Sequence, residues 1–217
     1  MAQHFHKSAN DFARISIIAL GLLVAGVFYF GTKFNRSGYF TYVNVAREQP
    51  VPFSHNHHVA QLGIDCRYCH VSVETSNSAG IPPTKTCMNC HSQLWTNAAM
   101  LEPVRASFRD GTSLEWGRVH DLPDFVYFNH SVHVNKGVAC ESCHGRVDNM
   151  PLMYKANTLH MDWCLACHRA PEKFVRPKDQ VVTMGWTPPG GDQLTLGRAL
   201  VSKYHIQTRQ DCSSCHR

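Results

Sequence analysis

Five copies of the pattern Cys-x-x-Cys-His consume all ten cysteines of this chain: Cys66/Cys69/His70, Cys87/Cys90/His91, Cys140/Cys143/His144, Cys164/Cys167/His168 and Cys212/Cys215/His216. No other feature limits the fold as strongly. Two thiols at this spacing can add to the two vinyl groups of one porphyrin as thioethers. The histidine that follows the second cysteine then reaches the iron, which makes the pattern the attachment signal of a c-type haem. Zinc ribbons and disulfide frameworks also use Cys-x-x-Cys pairs, but neither needs that histidine. At this histidine content five such coincidences would arise roughly once in a million chains. The motifs therefore predict five covalently bound c-type haems, with His70, His91, His144, His168 and His216 as the proximal iron ligands.

Beyond the first ~40 residues the chain has roughly 35 residues per haem, too few to build a conventional polypeptide core around each macrocycle. The macrocycles must supply the core. The expected fold class is mainly α and irregular: a multihaem cytochrome c domain of short helices and ordered loops, low in sheet, preceded by one N-terminal transmembrane helix. The formal charge of +5 might suggest nucleic acid as a partner, but two propionates on each haem, partly offset by the ferric iron, add about −5 and cancel the excess. No nucleic-acid partner is expected.

Residues Ile15 to Thr32 run without a charge between Arg14 and Lys33. As a helix at 1.5 Å per residue the run spans about 27 Å, enough to cross a bilayer if the flanking cations snorkel. It exceeds the usual apolar stretch of a signal peptide, and its end, VFYFGTKF, offers no small-x-small cleavage site. The reading is a retained anchor over 1–34, with the membrane-crossing part at about 14–33, followed by a haem domain over 35–217. Flanking charge leaves the orientation open. Covalent haem attachment takes place outside the cytoplasmic membrane, which puts the haem domain on the periplasmic side of a bacterial cytoplasmic membrane. Gly21 and Ala25 form a small-xxx-small pair of the kind that lets a second helix approach.

The haem domain repeats itself. FSHNHHVAQLGIDCRYCH, beginning at Phe53, aligns with FNHSVHVNKGVACESCH, beginning at Phe128: Phe53 with Phe128, His55 with His130, His58 with His133, Gly63-Ile64 with Gly137-Val138, with one residue inserted. Each block is followed by a further attachment site, so 53–91 and 128–168 are two copies of one unit and the fifth site stands alone. His57 aligns with Val132 and is the odd member of its trio. Phe-x-His-x-x-His resembles the motif by which small multihaem cytochromes related to cytochromes c3 and c7 ligate two different haems. The resemblance implies His55, His58, His130 and His133 as distal ligands. One iron remains, and His120, in RVHDLPDF, is taken for it ahead of His160, His205, Met150, Met153 and Met161.

Between the motifs, Ser92 to Arg105 reads as a helix turning Trp95 and Leu101 toward haem, and DFVYF (124–128) as an extended lead into the second ligand motif. Asp192 reads as the cap of a helix over Gln193 to Tyr204, with Pro82-Pro83 and Pro188-Pro189-Gly190-Gly191 as breaks.

The single anchor, the five sites, and the segments AGIPPTKTCMNCHSQLW, VHDLPDFVYFNHSVHVNKGVACESCHGRV and MDWCLACHRAPEKFVRP together resemble the pentahaem cytochrome subunits of bacterial alternative complex III. The resemblance covers nearly the whole chain. It implies a quinol-oxidising membrane complex whose other members are an iron–sulfur subunit, polytopic subunits that hold the quinol site, and a monohaem cytochrome c.

Three function classes compete. A non-catalytic electron wire needs every iron six-coordinate. A multihaem oxyanion reductase needs an open iron position, often marked by lysine in place of the motif histidine. A self-sufficient quinol dehydrogenase would be a tetrahaem, single-anchor protein. All five motifs end in histidine and spare histidines suffice for every iron, so the residues point to the wire, with no catalytic residue expected.

Overall fold

A computed structural model describes residues 4–216. The chain forms two compact units, 1–43 and 44–217. In the first, α1 (Ser8–Asn35) is one uninterrupted helix with no buried residue. It is longer than the apolar run itself, because Asp11 in the first turn and Lys33 in the last complement the helix dipole and let the polar flanks join. At 28 residues it reaches about 42 Å, long and apolar enough to cross a membrane. A short helix, α2 (Gly38–Thr41), closes this unit.

The second unit is a string of short helices: α3 (Cys66–Cys69), α4 (Thr84–His91), α5 (Glu102–Asp110), α6 (His130–Asn135), α7 (Cys140–His144), α8 (Met161–Arg169), α9 (Gln193–Lys203) and α10 (Cys212–Cys215), with a π-helical turn over Asn56–Gln61. Among the described residues there is no strand. Three isolated antiparallel bridges remain, Ala46 with Tyr154, Val126 with His216 and Val138 with Val175. The fold is mainly helical and irregular, as the residues-per-haem argument requires.

Its polypeptide core is small. The largest cluster joins Val51, Leu101 and Val104, backed by Cys87, Met88, Ala98, Leu114 and Trp116. A second contact packs α9 onto the turn Pro171–Lys173, where Gly197 lies so close to the Glu172 backbone that any Cβ would strike it. Asp192 caps α9 as the sequence suggests, accepting a hydrogen bond from the Thr195 N–H at 3.0 Å.

The segment 92–105 differs from the sequence expectation of one helix. Trp95 adopts φ +55°, a left-handed conformation that ends the preceding turn. The helix starts afresh at Glu102, with Pro103 in its first turn, where a missing N–H costs nothing. Leu101 is buried in the small core with Val51 and Val104, beside Cys87 and Met88 of the second motif.

Candidate haem attachment sites

Each Cys-x-x-Cys pair lies on a helix: α3, α4, α7, α8 and α10 carry the five motifs. Residues three apart on a helix share a face, so both thiols of a pair point the same way. All ten cysteines are free. Among the described residues no three His, Cys, Asp or Glu side chains converge as a cage for a bare metal ion. A structural zinc needs four such ligands, whereas a porphyrin iron asks the protein for only two. Two thiols on one helix face with a histidine beside them are the donor set that a porphyrin would take.

The histidines meet the same test. Two imidazole nitrogens at about 2 Å from one metal put the ring centroids roughly 6 Å apart. His58 and His91 face each other at 6.2 Å, His133 and His168 at 6.1 Å, and His130 and His144 at 6.3 Å. Each ring plane contains the axis through the metal, so the angle between planes is free; it is 67° in the first two pairs and 12° in the third.

Backbone carbonyls fix the other ring nitrogen. Nδ1 of His58 donates to the Ser54 carbonyl at 2.8 Å, and Nδ1 of His133 to the Asn129 carbonyl at 2.7 Å. His70 does the same to Gly80, His91 to Leu94, His130 to Asn77 and His216 to Phe125. A proton held on Nδ1 leaves the Nε2 lone pair for a metal, which is the usual role of such a carbonyl. His57 is different: its Nδ1 bonds the Gln61 side chain at 2.9 Å, and its ring stacks on Trp95 at 5.6 Å. Among the described residues two buried ring nitrogens have no hydrogen-bond partner, Nδ1 of His55 and Nε2 of His120.

Burial favours the neutral, metal-binding form of His55, His58, His120, His133 and His144. Desolvation lowers His55 to about 4, helped by the charges of His70 and His58, and lowers His144 to about 3. His120 is held at about 4 by burial and by Lys155, while His58 and His133 are lowered chiefly by burial.

The two ligand segments adopt one arrangement. Phe53 stacks on His58 at 4.4 Å and meets His55 edge-on at 4.9 Å; Phe128 stacks on His133 at 4.5 Å and meets His130 edge-on at 4.7 Å. The Ile64 N–H returns to the His58 carbonyl, and the Val138 N–H to the His133 carbonyl, both at 3.0 Å. The extra residue of the first segment is absorbed after His58, as the π-helical turn Asn56–Gln61 where the second segment has an α-helix. Gly63 and Gly137 then turn the chain at φ +69° and +82°. At Gly137 a side chain is doubly barred, because a Cβ would strike the Arg176 carbonyl.

His120 lies against the third site, its ring 4.2 Å from that of His144, too close for a metal between them. The ring that faces His216 at the fifth site belongs to Phe125, at 5.7 Å.

Of three structural partners of these sites, sequence reasoning named Trp95 and missed two. Trp95 brackets the second, 6.3 Å from His91. The buried pair of Arg176 and Glu141 clamps the third at 2.6 Å, while the Gly185 N–H donates to the same carboxylate at 2.6 Å. Asn157 donates to the Cys143 carbonyl at 3.0 Å. Trp95 follows its motif closely, and the sequence already turned it toward haem; the other two act across long separations and leave no local pattern.

Residues 126–217, which hold the last three sites, match the family described as cytochrome c7 and related cytochrome c. The chain is also 35% identical over 103 residues to the multiheme cytochrome c subunit of menaquinone reductase from Nitratidesulfovibrio vulgaris (strain Hildenborough). That match takes in 45% of this chain and 46% of the relative, so the chain spans less than half the length of the curated relative it matches.

Proposed function

We propose that this chain conducts electrons through five c-type haems between the quinone pool and a periplasmic carrier, as a membrane-anchored subunit of a complex of the alternative complex III kind. The observation that carries the reading is the separation of facing imidazoles, 6.2 Å for His58 and His91 and 6.1 Å for His133 and His168. At those two sites the facing rings would hold one iron between them and would leave it no open position for a substrate. The wire is favoured over an oxyanion reductase for that reason.

In this reading Cys66/Cys69, Cys87/Cys90, Cys140/Cys143, Cys164/Cys167 and Cys212/Cys215 hold the macrocycles as thioethers. His70, His91, His144, His168 and His216 bind from the proximal side. His91 is completed by His58, His168 by His133, His144 by His130 and His70 by His55. The fifth site, where Phe125 faces His216, is left without a histidine partner, and His120, set against His144, would have to move away from the third site to supply one. Bound haem supplies a reversible one-electron couple. The chain's own part is to present neutral imidazoles, hold their tautomers through carbonyl acceptors, and keep water from the axial positions. Nothing on the polypeptide need move or exchange a proton.

The anchor would be the single pass over about 14–33, with the haem domain over 35–217 on the periplasmic side. Expected partners are an iron–sulfur subunit, polytopic subunits holding the quinol site and a monohaem cytochrome c that takes the electrons away. A second reading runs the current backward, toward the quinone, and is favoured by the identity with a menaquinone reductase subunit. Purification of the native complex from membranes tests both. Quinol that reduces the haems, and a monohaem cytochrome c that reoxidises them, supports the first direction. Reduced haems that turn over menaquinone, with no quinol-driven reduction, support the second. A haem chain inert to both would sink the proposal.

A further inference from the structure

The attachment sites are threaded in one order along the sequence and touch in another. Sites one and two meet where the Asn89 side chain, inside the second motif, donates to the Tyr68 hydroxyl, inside the first, at 3.0 Å. The Cys69 thiol is within electrostatic reach of Cys87. Sites three and four are joined in the corresponding place: Asn157, in the lead to α8, donates to the Cys143 carbonyl, and Cys143 is within reach of Cys167 and Cys164.

Sites one and three meet each other. The Cys66 and Cys140 thiols lie close enough to shift each other's pKa, Cys66 downward and Cys140 upward. The ligand segments around them are exchanged. Asn56, beside His55, donates through its N–H to the Met150 carbonyl at 3.1 Å and through its side chain to the Asp148 carbonyl at 3.0 Å, both in the loop after site three. In return the His130 and Ser131 N–H groups donate to Asn77 and Ser76, and the Asn135 side chain to Glu74, all in the loop after site one.

Site five docks beside site four. The Tyr127 N–H donates to the Cys215 carbonyl at 2.8 Å, and Val126 bridges His216. That extended segment continues into Phe128, which stacks on His133, the partner of His168. Cys164 and Cys215 are within electrostatic reach.

We infer that the five sites form a single row in the order two, one, three, four, five, so that electrons enter and leave at sites two and five. An independent observation marks the same two ends: Cys90 of site two and Cys212 of site five are exposed, whereas the other eight cysteines are only partly so. The inference rests on the electron-transfer reading and adds the route. At each hop one electron leaves a ferrous iron and reduces the ferric iron of the adjacent site, with no bond, proton or leaving group exchanged. The outer supply and sink are a quinol-oxidising partner and a one-electron protein carrier, in either sense of flow.

The test is to locate the five irons of the full-length, haem-loaded protein by anomalous scattering at the iron absorption edge and to rank their ten separations. The expected result is that the pairs two–one, one–three, three–four and four–five are the four shortest and two–five the longest. A two–three separation shorter than one–three, or site five nearest to any site but four, overturns the order while leaving the wire intact. Fewer than five irons, or irons whose macrocycles nowhere approach one another, sinks the electron-transfer reading itself.

Discussion

His133 and His168 face each other at 6.1 Å with planes 67° apart, and His58 and His91 reproduce that relationship at 6.2 Å and 67°. Two independent stretches of sequence thus set the same pair of rings at the distance of a shared metal. His133→Ala is expected to leave one iron five-coordinate: a high-spin band appears and carbon monoxide binds to the reduced protein. A wholly low-spin spectrum in that variant would show that His133 is not a ligand.

His57 sits next to His58 but holds Gln61 and stacks on Trp95. His57→Ala should keep every haem low-spin and change stability by no more than about 1 kcal/mol, as expected for a partly exposed side chain. His58→Ala should open a haem as His133→Ala does. Electronic spectra of the two variants, with and without carbon monoxide, separate the neighbours.

Five thioether-bound haems should survive denaturation, because covalent bonds outlast the fold. A pyridine haemochrome assay on the unfolded chain is expected to return five haems, and a count of three or fewer would refute the cofactor assignment.

Arg176 and Glu141 are both largely buried. Arg176→Met strands the carboxylate and should cost about 3–5 kcal/mol of stability. Gly197→Ala drives a methyl into the Glu172 backbone and should cost about 1–3 kcal/mol. Gly26→Ala, where nothing lies within 4 Å, is the neutral comparison. Thermal unfolding midpoints of the three variants check the ranking.

A hydrophobic anchor resists salt. Washing membranes at high ionic strength screens surface charge but leaves burial of α1 untouched, so the chain should stay in the pellet and leave only with detergent. Release by salt alone would mean that α1 does not hold the protein in the bilayer.

Much of this was readable from residues alone. The cysteine pairs named the candidate attachment sites, each of which falls on a helix, because their chemistry is local, and the long apolar run located α1. The Phe-x-His-x-x-His spacing brought out His58 and His133, since a short motif fixes its own geometry. Helix 92–105 was misjudged because the positive φ of Trp95 leaves no trace in periodicity. Pairings such as Asn89 with Tyr68 or Arg176 with Glu141 depend on tertiary packing. His120 illustrates the limit: its residue type made it a ligand candidate, but only the fold sets it beside His144.

The exchange of segments between the halves bears on how the protein matures. The wall beside Asn77 is completed by His130 and Ser131, and the wall beside Met150 by Asn56. A chain that folds as it emerges from its N-terminus would therefore hold the first cysteines in a half-built pocket, open on that side until residues 130–135 have followed. A chain truncated after His91 would carry its haems on a surface with no lid, exposed to proteolysis.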